Sequence, residues 1–136
     1  MNQNKPNKSY GWQRIFGIID DDFKDEINNI NDFSLKQAES FVMEGDLPIG
    51  VLYLKKGKLR EVFLDGNNEP FTIRIYKEGD FVGFDHLLRQ EKSIKIIAST
   101  GIEGKLLKAK DFLKLCAESS KFREQFSKCY SQELFY

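Results

Sequence analysis

The chain has 136 residues, 40% of them hydrophobic, with 12 Phe against a single Trp. That is enough to line the core of one domain and too apolar for a disordered tail. Its 21 Lys plus Arg balance 21 Asp plus Glu, so no global field draws in nucleic acid or an anionic membrane, and neither partner is expected. No stretch approaches the roughly 20 apolar residues of a membrane span, and the N-terminal MNQNKPNKSY lacks the apolar region of a secretory signal. A cytoplasmic location follows as the expectation. Cys116 and Cys129 make neither a disulfide framework nor a zinc site, and His86 has no second histidine beside it. No metal, no catalytic constellation and no enzyme activity are expected of this chain.

Residues 1–10 are polar, rich in Asn and Lys, and carry Pro6; they have little apolar surface to offset the entropy of ordering and read as a disordered arm. From Gly11 to about Asn31, Trp12, Ile15, Phe16, Ile19, Phe23, Ile27 and Ile30 recur at spacings of three and four, so N-terminal helices are assigned to 11–33. Asp20 to Asp22 suit the start of the second of them, where carboxylates accept bonds from free N–H groups.

After Ser34 the period changes. Segments 37–43, 49–54, 58–64, 70–76, 92–99 and 103–108 are short, rich in Val, Ile, Phe, Leu and Tyr, and separated by Gly, Asp, Asn or Pro. They read as strands of an all-β sandwich, barrel or jelly roll over 34–108. Phe71, Ile73 and Ile75 alternate with Thr72, Arg74 and Tyr76, the period of a strand that buries one face. Asp65-Gly66-Asn67-Asn68 is a hairpin reversal, and Lys55-Lys56-Gly57-Lys58 punctuates two further strands expected to pair. The remainder, 109–136, is helical again: Ala109, Phe112, Leu113 and Cys116 share one face, and Phe122, Phe126, Cys129, Tyr130 and Leu134 another. Ser119 and Ser120 separate the two helices and suit the cap of the second. Both cysteines lie on these apolar stripes, where a thiol behaves as a small buried hydrophobe.

Helix, short strands, then two helices is the order of a known family, and residues 50–100 carry the resemblance. Gly50 precedes Val51 to Leu54, Gly57 follows in a turn, Gly79-Asp80-Phe81-Val82-Gly83 leads a short helix, and Ala98 lies in the strand after it. The stretch resembles the cyclic-nucleotide-binding domains, over about residues 35 to 130. The resemblance implies a mainly β protein with flanking helices, a jelly-roll (double-stranded β-helix) roll in one domain over 11–136.

In that family a glycine-led cassette offers backbone N–H groups to a cyclic phosphate, an acid after the glycine holds the ribose, and an arginine pairs with the phosphate. Carried onto this sequence, the candidate ligand residues are Gly83, Phe84, Asp85, His86, Arg89, Lys92 and Ser93. Phe84 stands where the acid belongs and cannot accept a hydroxyl bond. Asp85 is one place late, which on a helix turns a side chain by about 100° and points it elsewhere. Lys92 replaces the arginine without its bidentate fork, Glu91 adds a negative charge close by, and Arg89 is an outside candidate. Phe84 is expected to fill the space of a ligand or to pack on a partner, and His86 to be a partly exposed polar residue or a satisfied core group. Tight binding of cAMP or cGMP is not expected, and no cofactor is assigned.

The runs Gly83-Phe84-Asp85-His86-Leu87-Leu88-Arg89, Ile97-Ala98-Ser99-Thr100, Asp111-Phe112-Leu113 and Cys129-Tyr130-Ser131-Gln132-Glu133-Leu134 are similar to the N-terminal domain of cyanobacterial toxin or bacteriocin ABC exporters. That resemblance implies a regulatory or docking module at the cytosolic face of a membrane protein, whose partners are the other domains of its parent: a transporter ATPase, with or without a peptidase domain. The chain itself has no Walker phosphate loop. Its apolar ending Leu134-Phe135-Tyr136 reads as the cut end of a longer protein, and Phe135 with Tyr136 suits a homodimer through the C-terminal helices. Alternatives are a working cAMP or cGMP sensor with Lys92 or Arg89 on the phosphate, and the effector domain of a catabolite-activator-type transcription regulator. A cupin enzyme is a further one, although it needs clustered His and carboxylate ligands that this chain lacks.

Overall fold

The computed structural model describes residues 30–43, 45–64, 70–90 and 95–126. The expected arm, most of the N-terminal helical segment, the 65–68 turn, Lys92, Ser93 and Cys129 lie outside the described residues. Among the described residues, eight strands form two four-stranded antiparallel sheets. One has the order β1 (Ile30–Leu35), β8 (Ile102–Lys108), β3 (Gly50–Lys56), β6 (Phe81–Val82). The other runs β2 (Ser40–Val42), β7 (Lys95–Ala98), β4 (Leu59–Leu64), β5 (Pro70–Tyr76). Helix α1 (Phe84–Arg89) follows β6, α2 (Ala109–Glu118) follows β8, and residues 120–126 are helical.

Strand β3 positions everything else, because it is apolar on both faces. Leu52 and Leu54 join Phe41, Leu59, Tyr76, Val82, Ile96 and Ile102 in the core between the sheets. Val51 and Tyr53 point the other way, into a second cluster with Phe81, Leu107, Phe84, Leu87, Phe112, Leu115, Phe122 and Phe126. This outer cluster clamps the helices to the first sheet; Phe126 stacks against Phe81 at 5.1 Å, Phe84 at 4.8 Å and Phe112 at 5.3 Å between ring centroids. Edge and tilted contacts of this kind add to the burial of the rings themselves. Close approach of β3 and β8 needs glycine: a Cβ on Gly50 would lie 2.2 Å from the Leu107 carbonyl oxygen. Ser119 caps the last helix, its Oγ accepting from the Phe122 amide at 3.0 Å, as the Ser119-Ser120 pair led one to expect.

Four expectations need correction. Residues 30–33, assigned to a helix, belong to β1, which pairs along its whole length with β8 from Ile30↔Leu107 to Leu35↔Ile102; the spacing of Ile27 and Ile30 carries no information once a strand partner is available. The strand expected at 37–43 is confined to Ser40–Val42, because Ala38 takes a positive φ of 74° in a turn. The strands on either side of Gly57 do not pair: β3 and β4 lie in different sheets, and Gly57, with φ 90°, passes the chain from one to the other. Finally, β5 is inverted. Phe71 is 52% exposed, Ile73 47% and Ile75 64%, while Tyr76 is buried and Arg74 half-buried.

Candidate functional site

The inversion of β5 builds the site. Strand β4 carries a β-bulge at Glu61/Val62, and both of these consecutive residues are buried; a bulge re-aims a side chain that strict alternation would send outward. Glu61 therefore enters the roll opposite Arg74, its register partner on β5. The Tyr76 hydroxyl donates to Glu61 Oε1 at 2.6 Å. Burial first, and the Glu61 carboxylate next, push the Tyr76 phenol pKa far up, so it stays a proton donor.

From the other side comes α1. Gly83 opens it with φ 97°, where an added Cβ would lie 3.0 Å from the Gly50 carbonyl oxygen, so glycine is required by conformation and by space. Gln90 ends it in the left-handed region, its side-chain amide donating to the Leu87 carbonyl at 2.7 Å. The helix has two distinct sides. Phe84 and Leu87 join the outer aromatic cluster, whereas Asp85 and His86 meet β4 and β5. His86 is 2% exposed. Its Nε2 lies 3.4 Å from Glu61 Oε1 and its Nδ1 3.0 Å from Asp85 Oδ1, the latter in ion-pair range but without a hydrogen-bond partner.

Asp85 Oδ2 in turn faces Arg89 at 3.3 Å and Arg74 at 3.9 Å, and the Arg74 guanidinium lies 4.6 Å from the Tyr76 ring centroid. Burial opposes a charged His86 ring, but contacts with Asp85 and Glu61 and their charges prevail and raise its pKa from 6.5 to about 9. Burial likewise opposes an ionised Asp85, yet His86, Arg74 and Arg89 together hold its carboxyl below the usual range. At neutral pH the arrangement is a chain of alternating charge, Glu61, His86, Asp85 and Arg74, closed by Tyr76.

The structure thus brings Asp85, His86 and Arg89 together and corrects two expectations, those for Asp85 and Phe84. Asp85 does not point away but is the centre of the network. Of the two readings offered for His86, the structure takes the core one: it is buried between Glu61 and Asp85. Phe84 fills no ligand space: it turns from the roll and packs on Phe126. Glu61, Arg74 and Tyr76 escaped sequence reasoning; the one available signal was the polar set alternating with Phe71, Ile73 and Ile75. Among the described residues, no group of three or more His, Cys, Asp or Glu is arranged to hold a metal ion, and no helix is long and apolar enough to cross a membrane. A separate cleft of ≈ 340 Å³ lies on the other side of α1, against the C-terminal helices. It includes Cys116, whose thiol pKa burial pushes up to about 11.

Two antiparallel sheets with a short glycine-led helix and C-terminal helices define the cyclic-nucleotide-binding-domain fold, and solved structures agree. A Silicibacter pomeroyi protein proposed to be a cAMP-binding regulator superposes with a TM-score of 0.66 at 12% identity, over 79% of this chain and 50% of that one. The catabolite activator protein of Thermus thermophilus gives 0.63 at 20% identity, over 77% and 50%. A mutant regulatory subunit of a cAMP-independent protein kinase A from Trypanosoma brucei, bound to cAMP, gives 0.54 at 15% identity, over 73% and 40%. The chain thus spans half or less of the length of these proteins. No protein-family model matches it, and no curated protein matches it in sequence. The fold is mainly β, a jelly roll of cyclic-nucleotide-binding type with helices after it.

Proposed function

We propose that this chain is a non-catalytic regulatory or docking module that does not hold cAMP or cGMP tightly, and that it serves as the cytosolic N-terminal part of an ABC-type exporter. One observation carries the first half: the residues of α1 that face β4 and β5 are already paired, Asp85 and His86 with Glu61, Arg74 and each other. A nucleotide wedged between α1 and these strands would have to break buried ion pairs, at a cost of about 3–5 kcal/mol, or about two to four decades of affinity. It would also meet the Glu61 carboxylate and no acid at position 84 to grip its ribose. The exporter assignment rests on the similarity of residues 83–89, 97–100, 111–113 and 129–134 to that group's N-terminal domain.

Contact with other domains of a parent protein is the role left to such a module. The exposed apolar strip of Phe63, Phe71, Ile73 and Ile75 supports it, since contiguous apolar surface marks interaction sites. Homodimerisation through the C-terminal helices is a further proposal, tested by light scattering on a sizing column. Against the module stands a working cAMP or cGMP sensor, favoured by the two guanidiniums, Arg74 and Arg89, that flank Asp85. The effector role of a catabolite-activator-type regulator is the third reading. Isothermal titration with cAMP and with cGMP separates the first two: no heat at tens of micromolar ligand is expected, and a sub-micromolar Kd for either establishes the sensor instead.

A further inference from the structure

The cleft outside the roll has a composition of its own. Phe84, Leu88 and Asp85 line it from α1, Phe112 and Cys116 from α2, and Phe126 from the last helix, with Arg89 and Arg123 also on its wall. The edges of Phe84 and Phe126, the latter packed on the fully buried Phe112, join Leu88, 54% exposed, in its apolar lining. Its ≈ 340 Å³ falls within the size of small-molecule sites. The two guanidiniums are not equally committed. Arg123 donates to the Cys116 carbonyl, which fixes the side chain across the gap between the last two helices. Arg89 is 67% exposed and shares Asp85 with Arg74 and His86. Asp85 thus has three cationic partners, and a second carboxylate could take over Arg89 without stranding the first.

We propose that this cleft binds a small carboxylic acid with an aromatic or branched apolar body, the body against Leu88 and the edges of Phe84 and Phe126 and the carboxylate on Arg89 and Arg123. Charge complementarity selects the class: an apolar pocket walled by two planar, five-donor cations fits a planar anion with an apolar tail better than a cation or a neutral ligand. Asp85 reaches both the cleft and the ion-pair chain in the roll, so occupancy that draws Arg89 away is felt at His86. The inference does not depend on whether the roll binds nucleotide.

The test uses the 136-residue chain labelled with ¹⁵N, titrated with 4-phenylbutyrate and, separately, its neutral amide 4-phenylbutyramide. Expected are amide shifts at Leu88, Cys116 and Arg123, and about tenfold weaker binding of the uncharged analogue. Arg89→Gln and Arg123→Gln, both at exposed positions, should each weaken the acid and leave the amide alone. Equal binding of the two probes, shifts confined to Phe71, Ile73 and Ile75, or no shift at millimolar acid overturns the proposal. The cyclic-nucleotide titration is told apart from it by where the shifts fall, because nucleotide between α1 and the strands would move Glu61 and Tyr76 rather than Cys116 and Arg123.

Discussion

In β3 the chain buries Val51, Leu52, Tyr53 and Leu54 on both faces at once, between the inner core and the helix-covered outer cluster. In β5, no less apolar, Phe71, Ile73 and Ile75 face out while Arg74 and Tyr76 face in. The two strands carry similar residues and opposite responsibilities. β3 is central, with β8 and β6 beside it, so every apolar side chain finds a covered surface. β5 is an edge strand whose inner neighbours are a carboxylate and a histidine, so its polar side chains go where the charge is. Apolar content marks a strand; the partner elements decide which face is inside.

Substitutions should separate the two regions sharply. Phe112→Ala removes a fully buried ring that touches Phe122 and Phe126, and a loss of about 3–5 kcal/mol in urea unfolding is expected. Glu61→Ala leaves His86 and Tyr76 without their shared acceptor and should cost about 3 kcal/mol; double-mutant cycles with His86→Ala should show strong coupling. Gly50→Ala drives a methyl into the Leu107 carbonyl, and overpacking of this kind costs about 1–3 kcal/mol. Ile75→Lys, on the exposed face of β5, should change stability by less than about 0.5 kcal/mol while reducing any self-association on a sizing column. Were Ile75→Lys as damaging as Phe112→Ala, the inverted reading of β5 would be wrong.

A pH titration sharpens the comparison further. His86 has its pKa raised from 6.5 to about 9, so folding favours its charged form. Its contribution is complete below about pH 6.5 and is lost as pH rises through about 9. Thermal unfolding should therefore show a falling midpoint across that interval, and His86→Gln should flatten it. The Phe112→Ala variant, lacking any change in the network, should keep the same slope.

Much of the roll was legible in the residues. Strand-forming segments at 49–54, 58–64, 70–76 and 103–108 match β3, β4, β5 and β8 within two residues, because short apolar runs between Gly, Asp and Asn have few other uses. The cassette helix after Gly83 followed from the family resemblance, and the structure supplies its reason: glycine alone suits that φ and that space. The pairing of strands was not: Gly57 looks the same whether it closes a hairpin or crosses between sheets.

Composition and spacing determined a run of short strands followed by helices, and the resemblance of residues 50–100 to the cyclic-nucleotide-binding domains implied the jelly roll. They also settled that an aromatic ring stands at position 84, where nucleotide binders have an acid. Only the tertiary structure decided where that ring goes and what replaces it. Phe84 turns outward because Phe81, Phe112 and Phe126 offer it an apolar site, and Asp85 with His86 turns inward because a bulge in β4 and the inversion of β5 deliver Glu61 and Arg74 to meet them. Side-chain period is a local property, but the sign of each face is set by charge and cover supplied from strands and helices distant in sequence.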